Sequence, residues 1–560
     1  MRKNYILLSC FLIFNITTLL SQNWVNNLGS NSVDQGRKIV KDAAGNSYVT
    51  GFFSGTMQLD ASNVLSSAGQ RDVFLAKYDP SGNLEWAKGI GGAEDDEGKD
   101  LAIDNLGNIY LVGEFRGFVD FDPSIGLALK NSQSESDIFI AQYDISGSFV
   151  RVNTIDGSGV DLAQNLELDN NGNIYITGLF SGTLDFVAGT STDDLTTTQS
   201  MAAFVAKFTP TGSYVWAKKT ENISSIIFND LEIDNTGNLY LTGAYRSSTD
   251  FNPSTMTNIL PLSGNTDAFL VKYNNNGSLI WAKAIHGIDI ESAEAVKIAQ
   301  DGNILVTGYF VNSIDLDPST NTNFVTSVGQ RDVFFANYSP SGSFRWGKSF
   351  GGTGNEYGYA LATDNQKRIF LAGTFQGTAD VNPDQNTTNN ITSSADADVF
   401  FARYDSVGNY KWSMSAGGSN GELIQDIVVD NVLQIHATGW VQGTANFFGN
   451  TTINSNGDRD ILVAKVDASI LISTNKIVEN EQVRVFPNPF DDHIELTFLE
   501  KNKGNISVQL TDMSGRVVFV KNKITENNSI IDLPNGLVNG VYFLQIFEKE
   551  RVIQVVKLVK

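Results

Sequence analysis

One phrase recurs seven times along this chain. Its core reads Asp72-Val-Phe-Leu-Ala-Lys-Tyr78, followed by a turn, Asp79-Pro-Ser-Gly-Asn83, and then Trp86-Ala-Lys. It returns at Asp137, Asp267, Asp332, Asp398 and Asp460, with Ala202 in the Asp position of the third copy. A companion phrase, Gly45-Asn-Ser-Tyr-Val-Thr-Gly51, travels with it. Its final Gly falls at 51, 113, 178, 243, 308, 373 and 439, in steps of 62, 65, 65, 65, 65 and 66. A near-constant period of this size means one supersecondary unit repeated in a stack or a ring.

Each unit holds four strand-like runs, in the first copy 37–41, 47–53, 72–78 and 84–90. Asp42-Ala-Ala-Gly-Asn46 and Asp79-Pro-Ser-Gly-Asn83 are tight turns in which Asp caps the backbone and Gly supplies positive φ, so the strands are antiparallel. The third run is apolar on both faces, and a sheet of that kind needs cover on both sides. The ends choose between ring and stack. Trp24-Val-Asn-Asn-Leu-Gly29 matches only the fourth run, and the last unit has runs at 424–429, 433–441 and 460–466 but no Trp run. The expected fold is therefore all-β: a seven-bladed β-propeller of four-stranded antiparallel blades over 22–467, closed by the N-terminal strand.

At 560 residues the chain exceeds one core, and at least two domains are expected. Its formal charge of -23 argues against a nucleic-acid partner, which needs clustered Lys and Arg. Arg2, Lys3, the apolar run 5–20 and Ser21 read as a signal peptide over 1–21, cut before Gln22. The single Cys, Cys10, sits in Leu7-Leu-Ser-Cys10, which resembles a lipoprotein box, although the apolar run continues past it. The mature chain would then carry neither Cys nor a transmembrane segment, which removes thiol catalysis and thiolate metal sites.

The units resemble the bacterial SBBP β-propeller repeat of exported proteins, through Gly172-Asn-Ile-Tyr-Ile-Thr-Gly178, Asp332-Val-Phe-Phe-Ala-Asn-Tyr338 and Trp86-Ala-Lys-Gly-Ile-Gly-Gly92. Arg151 departs by standing where Trp is expected. After a polar linker, 468–482, a second pattern of short strands begins, and a small Ig-like β-sandwich is expected over 483–560. It resembles the type A C-terminal sorting domain of type IX secretion cargo of Bacteroidota. The matching residues are Pro487-Asn488-Pro489, Asp512 and Gly515 in a turn, Gly540 and Tyr542, and Lys557 and Lys560 at the terminus. The resemblance implies the type IX machinery as partner and a secreted or cell-surface location. An ordinary Ig-like adhesion module is the other reading.

Chemistry is thinly signalled. His286, His436 and His493 have no motif partners, and no catalytic residue or cofactor site is expected. Asp120-Phe-Asp122-Pro123 recurs as Asp250-Phe-Asn252-Pro253, Asp315-Leu-Asp317-Pro318 and Asp380-Val-Asn382-Pro383. Asp120, Asp122, Asp315 and Asp317 are weak Ca²⁺ candidates, against an Asx-turn in which the carboxylates cap nearby N–H groups. Glu94-Asp-Asp-Glu97 with Asp100 reads as a solvated acidic loop. Variable second-to-third-strand loops, such as 54–71, form a candidate binding rim for a surface glycan or protein. The expected function is an exported binding or scaffold module. The alternative is a polysaccharide lyase or hydrolase with a site on the propeller axis. A repeat-uniform axial lining favours the first; a deep pocket with convergent, unit-specific polar groups favours the second.

Overall fold

The computed structural model describes residues 23–468 and 483–560, except 60–62, 188–192, 221–225, 255, 431–432, 449–450, 488–489, 491, 499–505, 513–516, 527, 535, 538–539 and 549–550. The signal segment, nearly all of the linker, and Asn488, Pro489 and Gly515 of the sorting motif lie outside the described residues. The chain divides into two compact units, Asn23–Ser469 and Ile470–Lys560. The regular elements among the described residues are all strands, and they pair antiparallel.

In the larger unit a four-strand pattern occurs seven times among the described residues. The first copy is Gln35–Lys41, Ser47–Gln58, Val64–Tyr78 and Leu84–Gly92, each paired with the next. The third strand is buried on both faces, as its double apolar pattern requires: Val73, Phe74, Leu75 and Ala76 are all at most 1% exposed. The last copy supplies three strands in sequence, Glu422–Val429, Gln434–Phe447 and Thr451–Asp467. Its fourth is Trp24–Leu28, which pairs antiparallel with Thr451–Asp467 in the register Trp24↔Lys465 to Leu28↔Ile461.

Consecutive units are stitched through their first strands. Asp100 accepts from Leu166 N, Asp230 from Val296 N, and Asp426, in the last unit, from Ile39 N of the first at 3.1 Å. A second stitch runs through the Trp position of the fourth strand, whose ring lies on the turn Gly of the following unit. Trp216 Nε1 donates to Asn275 O, Trp281 Nε1 to Pro340 O, and Trp24 Nε1 to Pro80 O. Where Arg151 replaces Trp, Arg151 Nη2 donates to the equivalent carbonyl, Pro210 O, at 2.6 Å. The departure in sequence thus preserves the donor.

The smaller unit has two antiparallel sheets. One contains Val483–Phe486, His493–Phe498 and Asn528–Asp532; the other contains Ile506–Asp512, Val517–Ile524, Val541–Glu548 and Arg551–Val559. Ile494, Leu496 and Ile531 of the first sheet share one core with Val508, Leu510, Leu544 and Ile546 of the second.

Candidate functional site

The seven first strands carry one irregularity in common. Each skips a residue against its second strand, at Gly36/Lys38, Gly98/Asp100, Ala163/Asn165, Phe228/Asp230, Ala293/Ala295, Gly358/Ala360 and Ile424/Asp426. A bulged residue leaves the alternation of the sheet, and its side chain is re-aimed. Here the bulged residues are Arg37, Lys99, Gln164, Asn229, Glu294, Tyr359 and Gln425, and all line one cavity of about 340 Å³. A cavity that touches all seven first strands lies where those strands converge. Its lip carries two cations, one carboxyl, three amides and a phenol, with no apolar member. Elsewhere the repeat constrains each position by packing. This one is free to differ from unit to unit.

Below the lip sits a charged floor. Lys38 Nζ lies 3.6 Å from Asp100 and 3.8 Å from Asp426. Lys297 pairs with Glu232 and, at 3.8 Å, with Asp230. Burial pushes Asp100 up to about 6 against the pull of Lys38, and pushes Glu167 up to about 8 with the carboxylate of Glu232 adding to it. Both lysines are held well above their ordinary range, because the surrounding carboxylates outweigh burial. The two cations are therefore fixed counterions of the floor, not free groups.

The lip has two unlike sectors. Arg37 and Lys99 share Glu97, at 2.7 and 2.9 Å, and Lys99 also reaches Glu114 at 3.5 Å. On the other side, Glu294 accepts from Ser292 Oγ at 2.5 Å and Asn229 Nδ2 at 3.3 Å, and burial raises it to about 6. Tyr359 stacks on Tyr357 at 5.3 Å; Tyr309 meets Tyr357 edge-on at 4.9 Å, and Arg331 lies over both Tyr309 and Tyr357. Among the described residues, the cavity lining contains no His, Cys, Ser or Thr.

The residues singled out from sequence lie elsewhere. Asp120 Oδ1 accepts the N–H groups of Asp122 and Ala128, and Asp315 Oδ1 those of Asp317 and Asn323. Asp122 and Asp317 cap Ser124 N and Ser319 N in turn. These are Asx-turns, and they hold the carbonyl that a third-strand Tyr needs. Tyr143, Tyr273, Tyr338 and Tyr404 donate to Phe121, Phe251, Leu316 and Val381 O at 2.8–2.9 Å. In the third unit, where the motif departs, the position is Phe208; in the first, the Tyr78 hydroxyl has no hydrogen-bond partner among the described residues. The variable loops are partly strand: Asp120 and Val119 pair with Gly91 and Gly92 of the preceding unit's outer strand, and Asp315 and Ile314 with His286 and Gly287. They extend the sheets at the outer strand, away from the cavity.

The acidic stretch expected to be solvated is so only in part: Glu94 is exposed and Asp95 half-buried. Asp96, Glu97 and Asp100 are 1, 7 and 4% exposed, because each has partners from neighbouring units. His436 is fully buried, with Nδ1 2.7 Å from Ser47 Oγ, and burial lowers it to about 3. His493 is exposed beside Asp492. Of the sorting-motif residues, Tyr542 is buried in the core of the smaller unit and Lys560 Nζ lies over the Phe490 ring at 5.4 Å. Gly540 exchanges both backbone hydrogen bonds with Lys560. The backbone at Asp512 and Lys557 is strand, and Pro487 follows the strand Val483–Phe486.

Residues 484–560 match the secretion system C-terminal sorting domain, and residues 85–114 match the β-propeller repeat of the SBBP type. The chain is a β-propeller-repeat protein with a type IX secretion sorting domain. Such a domain implies export by that system to the cell surface or the medium, with its machinery as partner. Among the described residues no helix is long and apolar enough to cross a membrane. An uncharacterized WD repeat-containing protein of Acanthamoeba polyphaga mimivirus is 23% identical over 507 residues, covering 76% of this chain and 36% of that one. Regulatory protein FlaEY of Caulobacter vibrioides is 24% identical, covering 54% and 33%. The chain thus spans about a third of the length of the curated relatives it matches. Among solved structures, a puromycin hydrolase mutant complexed with PGG gives a TM-score of 0.41 at 11% identity, over 84% of this chain and 59% of that one. A glucose dehydrogenase gives 0.27 at 10%, over 71% and 94%.

Proposed function

We propose that this chain is an exported binding module: a closed seven-bladed propeller whose axial cavity holds a small polar ligand, carried by an Ig-like sorting sandwich of Bacteroidota type behind a cleavable signal peptide. The observation that carries the reading is the lip of seven bulged residues, polar in every unit and repeat-invariant in none. A purely architectural channel would repeat its lining as it repeats its Gly and Asp positions. The lip mixes donors, acceptors and one aromatic ring, which suits a polyhydroxylated ligand such as the end of a surface glycan. The Asx-turn loops are architectural in this reading, with no bound metal and no cofactor.

A second reading keeps the polysaccharide lyase or hydrolase, and one observation favours it. The lining is unit-specific and convergent, and Glu294 is raised to about 6 with no cation paired to it among the described residues. Binding is preferred because the other cavity carboxylates are engaged: Asp100 and Asp426 by Lys38, Asp230 by Lys297 and Glu114 by Lys99. Among the described residues lining the cavity, no second unpaired carboxylate completes a glycosidase pair with Glu294. The test is a glycan and surface-protein binding screen on the full chain, run beside polysaccharide turnover. Binding that Tyr359→Ala weakens at least tenfold supports the proposal. Equal binding by both proteins places the site elsewhere, and turnover abolished by Glu294→Gln establishes the enzyme.

A further inference from the structure

The junctions between consecutive units bury acids in pairs. The Asp that opens each third strand is followed, at the start of the next unit, by a second acid: Asp72 with Asp96, Asp137 with Asp161, Asp267 with Glu291, Asp332 with Glu356, Asp398 with Glu422, and Asp460 with Asp34. All twelve are at most 3% exposed. Among the described residues none forms an ion pair. The exception is instructive. Where Ala202 replaces the Asp, Ile226 replaces its partner, and the Gly-Gly that ends the outer strand in three of the other units reads Glu221-Asn222. The two acids are kept together or lost together.

In three of the six pairs the two carboxyls flank one Gly-Gly peptide group. A Cβ on Gly351 would stand 2.3 Å from Asp332 Cγ, and the next N–H, that of Gly352, donates to Glu356 Oε2 at 2.8 Å. Gly417 and Gly418 hold Asp398 and Glu422 in the same way, at 2.2 and 3.2 Å, and Gly91 and Gly92 hold Asp72 and Asp96 at 2.3 and 2.7 Å. The Gly at the first of these positions is what lets the carboxyl lie against the strand.

In two of the pairs each carboxyl is anchored by one oxygen only; in the other four at least one acid has both oxygens bonded, as Asp34, Asp96, Asp137, Asp267, Glu291 and Asp460 do. Asp332 Oδ2 accepts from Val328 N at 3.1 Å and Glu356 Oε2 from Gly352 N, while Asp332 Oδ1 and Glu356 Oε1 have no hydrogen-bond partner among the described residues. Asp398 Oδ1 and Glu422 Oε1 are orphaned alike, as are both oxygens of Asp161. Two buried carboxylates with orphaned oxygens would be costly as a pair of anions. One proton on such a pair would remove one of the two charges and supply a donor for an orphaned oxygen.

We propose that the Asp332–Glu356 and Asp398–Glu422 junctions each hold a single proton between two buried carboxyls, so that these contacts between units are intact in acid and weaken as the medium turns alkaline.

The other charges around the pairs do not replace the proton. Arg71 is engaged by Asp95 beside the first pair. Asp156, Asp185 and Lys130 surround the second, His286 and Asp289 the fourth-unit pair, and Asp396 the pair in the sixth. Arg331 lays its guanidinium on Tyr309 and Tyr357, 5.7 and 5.5 Å from the ring centres. Arg459 lies over Trp440 at 4.1 Å beside the last pair. Burial, reinforced by the partner carboxylate, pushes Glu291, Glu356 and Glu422 to about 8. Asp332 is raised to about 6 by burial alone. A carboxyl raised in the folded state contributes fully below its unfolded pKa near 4, and the contribution is lost as pH rises through about 6 to 8.

The test follows melting of the full chain from about pH 5 to about pH 9. Glu356→Gln gives Asp332 Oδ1 a permanent N–H donor in place of the titrating proton. The expected result is a melting temperature that falls with pH in the wild type and falls less in the variant, which becomes the more stable of the two at the alkaline end. Parallel curves would overturn the proposal. Infrared spectroscopy of the wild type near pH 7 needs no variant: a protonated-carboxyl carbonyl band present in the folded chain and lost on unfolding supports it, and absence of the band overturns it. If millimolar Ca²⁺ restores alkaline stability to the wild type and not to Glu356→Gln, the pair holds a metal ion and the proton assignment fails.

Discussion

Trp24→Ala asks whether the amino-terminal strand is integral to the last unit. The indole is 9% exposed, stacks on Tyr78 at 6.0 Å, covers Gly82 and donates to Pro80 O at 3.3 Å. Burying a Trp removes roughly 200 Å² from water, about 5 kcal/mol at ~25 cal/mol/Å², and the hydrogen bond adds about 1 kcal/mol. Partial relaxation of the cavity brings the expected cost to about 3–5 kcal/mol. With an unfolding entropy of about 2.1 cal/mol/K per residue over roughly 450 residues, that lowers Tm by about 3–5 °C. The comparator is Trp346→Ala, whose ring packs on the Gly408 turn inside the chain. A frayed terminal strand would cost less than about 1 kcal/mol. Scanning calorimetry of both variants decides. If Trp24→Ala melts with the wild type while Trp346→Ala drops, closure by the N-terminal strand is refuted.

Three further outcomes are expected. Gly351→Ala drives a methyl into Asp332 and lowers stability by about 1–3 kcal/mol in urea unfolding, the usual cost of overpacking; no change would mean that the carboxyl is free to move. Tyr404→Phe removes a buried hydrogen bond to Val381 O and costs about 0.5–1.5 kcal/mol, whereas Tyr78→Phe, whose hydroxyl is unpartnered, costs nothing measurable, and equal losses would refute the role given to the motif. Titrating Ca²⁺ into the full chain gives neither heat nor a Tm shift, because Asp120 and Asp315 already accept backbone N–H groups; binding abolished by Asp315→Asn would overturn the Asx-turn reading.

The particular residues show where sequence reasoning succeeds. Trp24 could be placed because the same side chain recurs at 86, 216, 281, 346 and 412, and a missing fourth strand is visible by counting. Arg151 departs from the Trp of the other units, yet it supplies the same donor, which identity at one position does not reveal. Asp96 and Glu97 read as solvent-facing because local pattern does not show their partners: Asp96 accepts from the backbone N–H groups of Gly92 and Arg116, and Glu97 pairs with Arg37, 60 positions away. The bulged residues escaped notice for a different reason. A repeat is found through what it keeps, and Arg37, Lys99, Gln164, Asn229, Glu294, Tyr359 and Gln425 are the position it does not keep. A variable polar position inside an otherwise constrained strand was the available signal.

The amino-acid order alone determined the repeat, its strands and turns, and the sorting domain, because those depend on local alternation, turn chemistry and recurring phrases. Only the tertiary structure decided which acids are buried, which side chains face the cavity, and what the Asp-x-Asp/Asn-Pro loops hold. Burial and hydrogen bonding there are settled between units some 60 residues apart, where local pattern carries no information about which side chains meet.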